Sequence, residues 1–552
     1  MQEDTIKAAY HRMTTERDWY LKEGKASAEL TIPSIMPSDQ DATLLADNET
    51  PVDIAKPWQS LGARGTRNLT SKMVLALFPP TSNFMRYQLH PQFKKELEKE
   101  ERSEQRTEIE RSLSIREQVI SEDVERQNIR VKADQVIRHL LVVGNILIYM
   151  PPGDGGMRIF PLNNYVVRRD FVGNVVEIIY VEPLDKATLP DAVRDVLLAE
   201  GAEEDPDHEG ELKVDKDNET VFVYTRIRLR GKRFFITQEA NGHAIEANSG
   251  SVLKAKMPFL ALRFVEIDGE NYGRGYIEEF RGDLASLEQL RRSIVVASVN
   301  AAKLNPMIRP GAAITPKKLM EAENGQALFG RADDVVMLQQ NKHADLSVAH
   351  QTSTELTKTL AAAFLLNSSF QRDAERVTRE EIRRMVEELD DALGGFYSVL
   401  SEGFQLPIAV RTEDRLIKSG DLVELRPKDA VKIVIVTGLA AIGRGHEFSR
   451  LREYIAWLAG EVQPLVPDIG NMIVVRDLAD RGAIGVGVNT EGLIKTDEQL
   501  QAERQQAQQA ELRSTLLEGA AAPLGQVAAD EIGGSVATQP SADQQSAQQG
   551  AQ

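Results

Sequence analysis

Chemistry in this chain would have to come from carboxylates, histidines, hydroxyls and arginines, because it contains no cysteine. That excludes a disulfide framework, a thiolate zinc site and a cysteine nucleophile together. The histidines, His11, His90, His139, His208, His243, His343, His350 and His446, include no His-x-x-x-His pair that would put two imidazoles on one helix face. No metal or other cofactor is therefore expected. A phosphate loop needs G-x-x-x-x-G-K-[ST] after a strand, and no such string occurs; Gly443-Arg444-Gly445 and the glycines from Gly482 to Gly487 read as structural turns. The cluster Glu387-Glu388-x-Asp390-Asp391 could suggest paired carboxylates for hydrolysis or two-metal chemistry. Consecutive helical positions point roughly 100° apart, however, so these groups read as a solvated face. No G-x-S-x-G elbow is present. A nuclease or an ATPase would have no residues to act with, and a hydrolysis assay would separate that class from a structural one.

The elements that would position any site belong to a long, acidic chain. Its 552 residues allow about three to five folded units. The net charge of −18 argues against a surface that adheres to polyphosphate without regard to sequence. Met1 to Tyr20 has no apolar core and does not read as a secretory segment. The longest apolar stretch, His139 to Met150, falls short of the ~20 residues that span a bilayer, so a soluble protein without a membrane is expected.

Periodicity predicts a helix over residues 1–25, with Ile6, Ala9, Tyr10, Met13, Trp19 and Tyr20 on its apolar side. Pro33, Pro37, Pro51 and Pro57 then impose a loop or extended arm. A helix follows from Trp58 to Phe78, whose Gly62-Ala63-Arg64-Gly65 opening offers close approach to another backbone. The charged region from Phe93 to about Leu140 reads as a solvated helix with a thin apolar stripe, Ile109, Leu113, Val119, Ile120, Val124 and Ile129. Strands are expected at Asn145–Met150, from Phe160 to Val181 with a turn at Val172-Gly173-Asn174-Val175, and at Thr220–Arg230, Arg233–Gln238 and Pro258–Val265. Leu189 to Glu200 reads as a short helix and Glu203 to Lys216 as an acidic loop.

From Arg274 to Leu304 apolar residues recur every three or four positions, giving a helix about 45 Å long. A Pro- and Gly-punctuated, β-prone segment reaches to Gln339, and a second long helix runs from about Ala344 to Leu366. Helix, small β insertion, helix predicts a stalk with a tip. Thr378-x-x-Glu381 is a capping box that starts another helix after a polar loop. Residues from Gly438 to about Leu500 read as helical. From Gln501 onward, glutamine and alanine each occur twelve times, so no core is available there.

The order of parts and several strings resemble the head-to-tail connector, or portal, family of podovirus-type short-tailed bacteriophages. The likeness covers about residues 5–500. It is carried by Thr50-Pro51, Pro57-Trp58-Gln59-Ser60-Leu61-Gly62-Ala63-Arg64-Gly65, Asn68-Leu69-Thr70-Ser71-Lys72 and Leu75-Ala76-Leu77-Phe78-Pro79. Gly144-Asn145, Tyr165-Val166-Val167-x-Arg169-Asp170 and Tyr272-Gly273-Arg274-Gly275-Tyr276-Ile277-Glu278-Glu279 add to it. So do Glu375-Arg376-Val377-Thr378-x-Glu380-Glu381-Ile382-Arg383 and Thr437-Gly438-Leu439-x-Ala441-Ile442-Gly443-Arg444-Gly445. Residues Arg411–Val431 and the Gln/Ala tail look less like the family.

The resemblance implies an α+β, mainly helical portal fold assembled as a ring, usually of twelve subunits, at one capsid vertex of the virion. It would be a conduit for genome packaging and ejection, without catalysis. It implies a wing over residues 1–272, stem helices over 273–304 and 344–366, a β-containing clip over 305–343 and a tunnel loop over 367–377. A wing helix and return segment over 378–437, a helical crown over 438–500 and a disordered tail over 501–552 complete it. Implied partners are the terminase large subunit and then the tail adaptor at the clip, with scaffold protein, major capsid protein and internal core proteins elsewhere. Assembly would take place in the host cytoplasm. Double-stranded DNA would pass without sequence specificity. Twelve copies at −18 each carry about −216, which within ~10 Å of screening length repels phosphate. A monomeric scaffold or adaptor without a channel is the alternative, and size in solution separates the two.

Within that frame Arg372, Arg376, Lys358, Arg291, Arg292 and Lys303 are candidates for rings that touch passing phosphate, or else for surface ion pairs. Phe370 is either a core anchor or a channel constriction. Arg64 and Arg274, each flanked by glycines, are either forks to carboxylates across a subunit interface or ordinary loop charges.

Overall fold

The computed structural model describes residues 5–46, 52–79, 83–93, 103–153, 156–185, 189–199, 220–302, 306–323, 325–337, 343–366, 399–425, 431–436 and 455–457. Residues 1–447 form one contact unit and 448–552 a second, of which only 455–457 are described. The expected tunnel loop with Phe370, Arg372 and Arg376, together with Lys303, the acidic loop 203–216, the capping box at Thr378, the tail and all of the crown but 455–457, lie outside the described residues.

The first helix, α1 (Ile6–Glu29), opens on Thr5, whose side chain accepts from the Ala8 amide. A short 3₁₀ turn (Pro33–Ile35) and α2 (Ala42–Ala46) follow within the Pro-rich segment. Next come α3 (Leu61–Leu77) and β1 (Met85–Leu89). The charged region forms two helices, α4 (Ser103–Arg126) and α5 (Ile129–Val143), separated where Asn128 takes a left-handed φ of 54°. Here the solvated-helix expectation is corrected. Leu113, Ile120, Val124 and Ile129 are buried in the core, and even Arg116, Glu117 and Asp123 are nearly covered. Burial of these charges is possible because partners distant in sequence meet them. Arg116 pairs with Glu413 at 2.7 Å, and Asp123 accepts from Arg415.

After α5 come β2 (Asn145–Tyr149), β3 (Arg158–Phe160), β4 (Tyr165–Arg169), β5 (Val175–Asp185), α6 (Asp191–Ala199), β6 (Thr220–Arg230), β7 (Arg233–Ala240), β8 (His243–Ala244), β9 (Gly250–Leu253) and β10 (Phe259–Arg263). Strands β4 to β8 form one antiparallel sheet in chain order, with β9 also pairing β7; β10, β2 and β3 form a second. The turn between β4 and β5 falls where expected, and Gly173 supplies its positive φ of 93°. The sheet packs Val166, Ile179, Val181 and Tyr224 against Ile6, Ala9, Tyr10 and Met13 of α1, and Val221 and Val223 against Val193 and Leu197 of α6.

The long helix α7 (Tyr276–Ala302) leads to a two-stranded sheet of β11 (Pro306–Ile308) and β12 (Val335–Met337), with α8 (Pro316–Glu321) between them. Helix α9 (His343–Ala363) then runs back against α7. A π-helical turn (Ser401–Gln405) enters α10 (Leu406–Ser419), and β13 (Val431–Ile435) pairs β1. Among the described residues no helix is long and apolar enough to cross a membrane, and no group of three or more histidines and carboxylates is placed to hold a metal ion.

Candidate assembly and channel surfaces

Two of the strings singled out in the sequence interlock at the root of α7. Asn145, buried at the start of β2, receives the Gly273 amide on its Oδ1 at 2.7 Å and donates its Nδ2 to the Gly273 carbonyl at 2.7 Å. Gly144 beside it has φ 81°, and a Cβ there would lie 2.4 Å from the Arg274 carbonyl carbon. Sequence spacing marked both strings but could not reveal that they clasp each other across 128 residues. Asn145→Ala would strand a buried donor and a buried acceptor, so a loss of about 2–4 kcal/mol in unfolding free energy is expected. Denaturant titration measures it, and a change below half a kilocalorie, about the size of a neutral surface exchange, would show the clasp to be incidental.

Arg274 lies between two carboxylates of its own subunit. It meets Glu270 at 2.7 Å and Glu278 at 3.0 Å, with its guanidinium 4.1 Å from the Trp19 ring centroid and 5.2 Å from that of Tyr20. Hydrogen bonding to Arg274 holds the Glu270 carboxyl below its ordinary range. The i−4 and i+4 spacing of these glutamates was visible in the sequence. Arg64 is exposed on the first turns of α3, while its neighbours Gly62 and Gly65 are buried. A Cβ on Gly62 would sit 2.2 Å from the Leu30 carbonyl oxygen, and one on Gly65 would sit 2.5 Å from Cγ of Phe364. The glycines thus serve packing within the subunit.

Close approach of α3 to the end of α9 builds a clamp that sequence reasoning missed. Asn68 donates its Nδ2 to the carbonyls of Phe364 and Leu365, at 3.1 and 2.9 Å, and the buried Lys72 ammonium donates to the Leu365 carbonyl at 2.9 Å. Leu365 itself has φ 51°, a left-handed position where helix ends favour glycine. The signal available in the sequence was the i, i+4 spacing of Asn68 and Lys72. It places both on one face but names no partner.

Helices α7 and α9 pack through Ile277, Leu284, Leu287, Leu360 and Phe364 near their roots. Farther out the apolar residues are open: Val295, Val296 and Val299 on α7, Val348 on α9, and Met307 and Val336 on the small sheet. Arg291 is half-buried; Arg292 and Lys358 are exposed, and none of the three makes an ion pair or side-chain hydrogen bond among the described residues. The threonines of α9 turn inward on their own backbone. Thr352, Thr354, Thr357 and Thr359 donate to the carbonyls of Val348, His350, Ser353 and Glu355, between 2.7 and 3.2 Å.

A family model described as bacteriophage head to tail connecting protein matches residues 3–494. The chain belongs to this head-to-tail connecting family. The portal protein of Escherichia phage T7 is 35% identical over 508 residues, covering 91% of this chain and 90% of that protein. The portal protein of Enterobacteria phage T3 is 37% identical over 506 residues, with the same two coverages. Among solved structures, a chain from the neck of an empty GTA particle aligns over 67% of this connector and 88% of its own length. It shares 12% identity at a TM-score of 0.30, too low to compare the two architectures.

Proposed function

We propose that this connector is a portal subunit: copies close into a ring, of twelve by the family's usual number, at one capsid vertex, and the genome passes through its centre. The observation that carries this reading is the match to portal proteins along nine-tenths of both chains. In this reading residues 1–272 are the wing, α7 and α9 the stem, 305–343 the clip, 367–377 the tunnel loop, 378–437 the wing helix and return segment, 438–500 the crown and 501–552 a tail. The subunit works as a structural conduit without catalysis.

The geometry supports assembly over the monomeric adaptor. A lone subunit leaves Val295, Val296, Val299 and Val348 in water, whereas neighbouring stems in a ring would cover such a stripe. Arg291, Arg292 and Lys358 are the described cations offered to phosphate, and Arg372, Arg376 and Lys303 complete the set. Arg64 is the interface candidate with an exposed charge, since Arg274 is already paired at home. The clip would receive the terminase and later the tail adaptor. Scaffold, capsid and internal core proteins would meet the remaining surfaces in the host cytoplasm and in the virion.

Light scattering with negative-stain microscopy tests the proposal. Rings with a mass near twelve times 61.3 kDa are expected. The double change Val295→Asp and Val299→Asp is expected to leave monomers, because it places charge on the surface that must be buried. A wild-type chain that stays monomeric even with scaffold and capsid protein would return the adaptor reading.

A further inference from the structure

Outside the surfaces already described, two features of the wing stand out as complementary. One is the β4–β5 turn, which presents Phe171 at 97% and Val172 at 68% exposure. An aromatic ring held so far into water normally sits on a loose loop, but this turn is heavily braced. Asp170 Oδ1 accepts from the amides of Val172 and Asn174 at 3.0 and 2.8 Å, and its Oδ2 accepts from Asn174 Nδ2 at 3.0 Å. Arg169 behind it donates to the carbonyls of Gly173, Asn271 and Ala261 between 2.8 and 3.0 Å. The backbone that carries the ring is therefore held in one place, with the Asp170 carboxylate beside it. Hydrogen bonds within the turn hold that carboxyl below its ordinary range, so it is charged at neutral pH.

The other feature is a cleft of about 270 Å³ between the β2–β10 sheet and α10. Its floor is apolar, from Met150, Pro151, Pro152, Val252 and Pro258. Its rim is cationic in a chain that is otherwise acidic. Lys256 and Lys418 share the single Asp414 carboxylate, Arg415 is paired with Asp123, and Arg411 has no ion pair among the described residues. Desolvation pulls the Arg411 pKa below its usual value, with Asp414 offsetting only part of that. The buried hydroxyl of Thr412 beside it has no hydrogen-bond partner among the described residues. An engineered cavity of ~150 Å³ accepts benzene, so a phenyl ring fits here with room for a neighbouring side chain.

We infer that the Asp170-Phe171 turn of one copy inserts into the Pro152/Val252/Arg411 cleft of the next, the ring on the apolar floor and the carboxylate against the cationic rim. The two features cannot meet within one subunit. The cleft lies at the Pro258 end of β10 and the turn at its Arg263 end, five residues or about 16 Å apart along the strand. A tip and a socket at opposite ends of one strand are two different surface patches, so their contact between copies is head-to-tail and closes into a ring when the rotation allows it. This inference rests on the ring reading and adds a specific knob and hole to it.

The absence of native cysteine makes the test clean. Phe171→Cys combined with Pro152→Cys, both at exposed positions, is treated with a short bis-maleimide after rings have been imaged. A ladder of covalent oligomers from the pair, and none from either single variant, is the expected result. Phe171→Glu, which cannot disturb the core, is expected to lower ring yield about tenfold with an unchanged melting temperature. Rings that form without a ladder and tolerate Phe171→Glu would overturn the pairing and leave the ring reading standing. Cross-linking by Phe171→Cys alone would mean that two tips meet, which also overturns it. If Phe171→Glu spares the rings but abolishes capture by capsid protein, the tip serves that other partner and the pairing is wrong. Failure of the wild-type chain to form rings under any condition would remove the ring reading and this contact with it.

Discussion

Replacing Arg17 with Met is expected to remove about 3–5 kcal/mol of stability, among the largest losses available to a single substitution in this chain. Arg17 is fully buried, yet it is surrounded by acceptors. Its guanidinium pairs with Asp41 and donates to Tyr10 Oη at 3.0 Å and to the carbonyls of Leu162, Asn163 and Tyr165 between 3.0 and 3.3 Å. Methionine fills much of the volume but satisfies none of these groups and leaves Asp41 charged and half-enclosed. The damage falls on the joint between α1, the Asp41 loop and the segment entering β4. Urea unfolding followed by circular dichroism gives the size of the effect.

Acidification separates the electrostatic part from packing. Burial alone would raise the Asp41 pKa, but the Arg17 charge and hydrogen bond, helped by Thr43, bring it below the ordinary carboxylate value. The unfolded chain therefore binds this proton first. The stability contributed by the pair is complete above roughly pH 4–5 and declines as the pH falls through the unfolded value of ~3.9 toward the folded one. In the Arg17→Met chain the counter-charge is gone and burial dominates, so Asp41 gains from protonation. The stability gap between the two proteins is expected to narrow as the pH drops from 6 to about 3.5. A constant gap would mean that Arg17 acts through shape alone.

The second large effect is expected at the clamp. Asn68→Ala with Lys72→Met strips the Phe364 and Leu365 carbonyls of their side-chain donors, at about 1–3 kcal/mol for each stranded buried group. It also releases a left-handed leucine whose backbone is strained by about 1–2 kcal/mol. Both consequences act at the root of the segment 367–377, proposed as the tunnel loop. Hydrogen exchange at Leu366, whose amide bonds the Ala361 carbonyl at 2.8 Å, is expected to accelerate by more than tenfold. Rings are expected to form normally but to retain less packaged DNA. Arg64→Ala is the control for the clamp, since Arg64 is exposed on the same helix and donates nothing to α9. Unchanged exchange at Leu366 in the double variant would show that the end of α9 is held by packing of Phe364 on Gly65 alone.

The long helices were legible because their apolar residues recur at helical spacing over many turns without proline, a pattern that local physics cannot put to another use. The β4–β5 turn was legible for a similar reason, as few residues but glycine accept its φ. Helix α4 was misread because Arg116, Glu117 and Asp123 count as solvent-seeking in any local window. Their burial depends on Glu413 and Arg415, about three hundred positions later, and on the Tyr87 amide, which donates to Glu117 at 2.7 Å. Arg17 carried no signal at all, since one charge on an amphipathic helix looks like any other. For the candidate site, Arg274 is the instructive residue. Its glycine neighbours drew attention outward to an interface, while Glu270 and Glu278, four residues on either side, already offered partners within the chain.

The threonines give α9, the proposed second stem helix, a further property. Each of the four hydroxyls has spent its only proton on the helix that carries it, so what remains outward is methyl groups and lone pairs. Phosphate oxygens are acceptors as well, and two acceptors cannot bond. In the stem reading proposed above, whatever moves along this helix finds no donor on the four threonines, and Gln351 and Lys358 are among the exposed donors it meets. In mechanical terms the proposed stem helix would be a low-friction bearing, its drag set by residues such as Lys358 and Gln351 and not by its threonines.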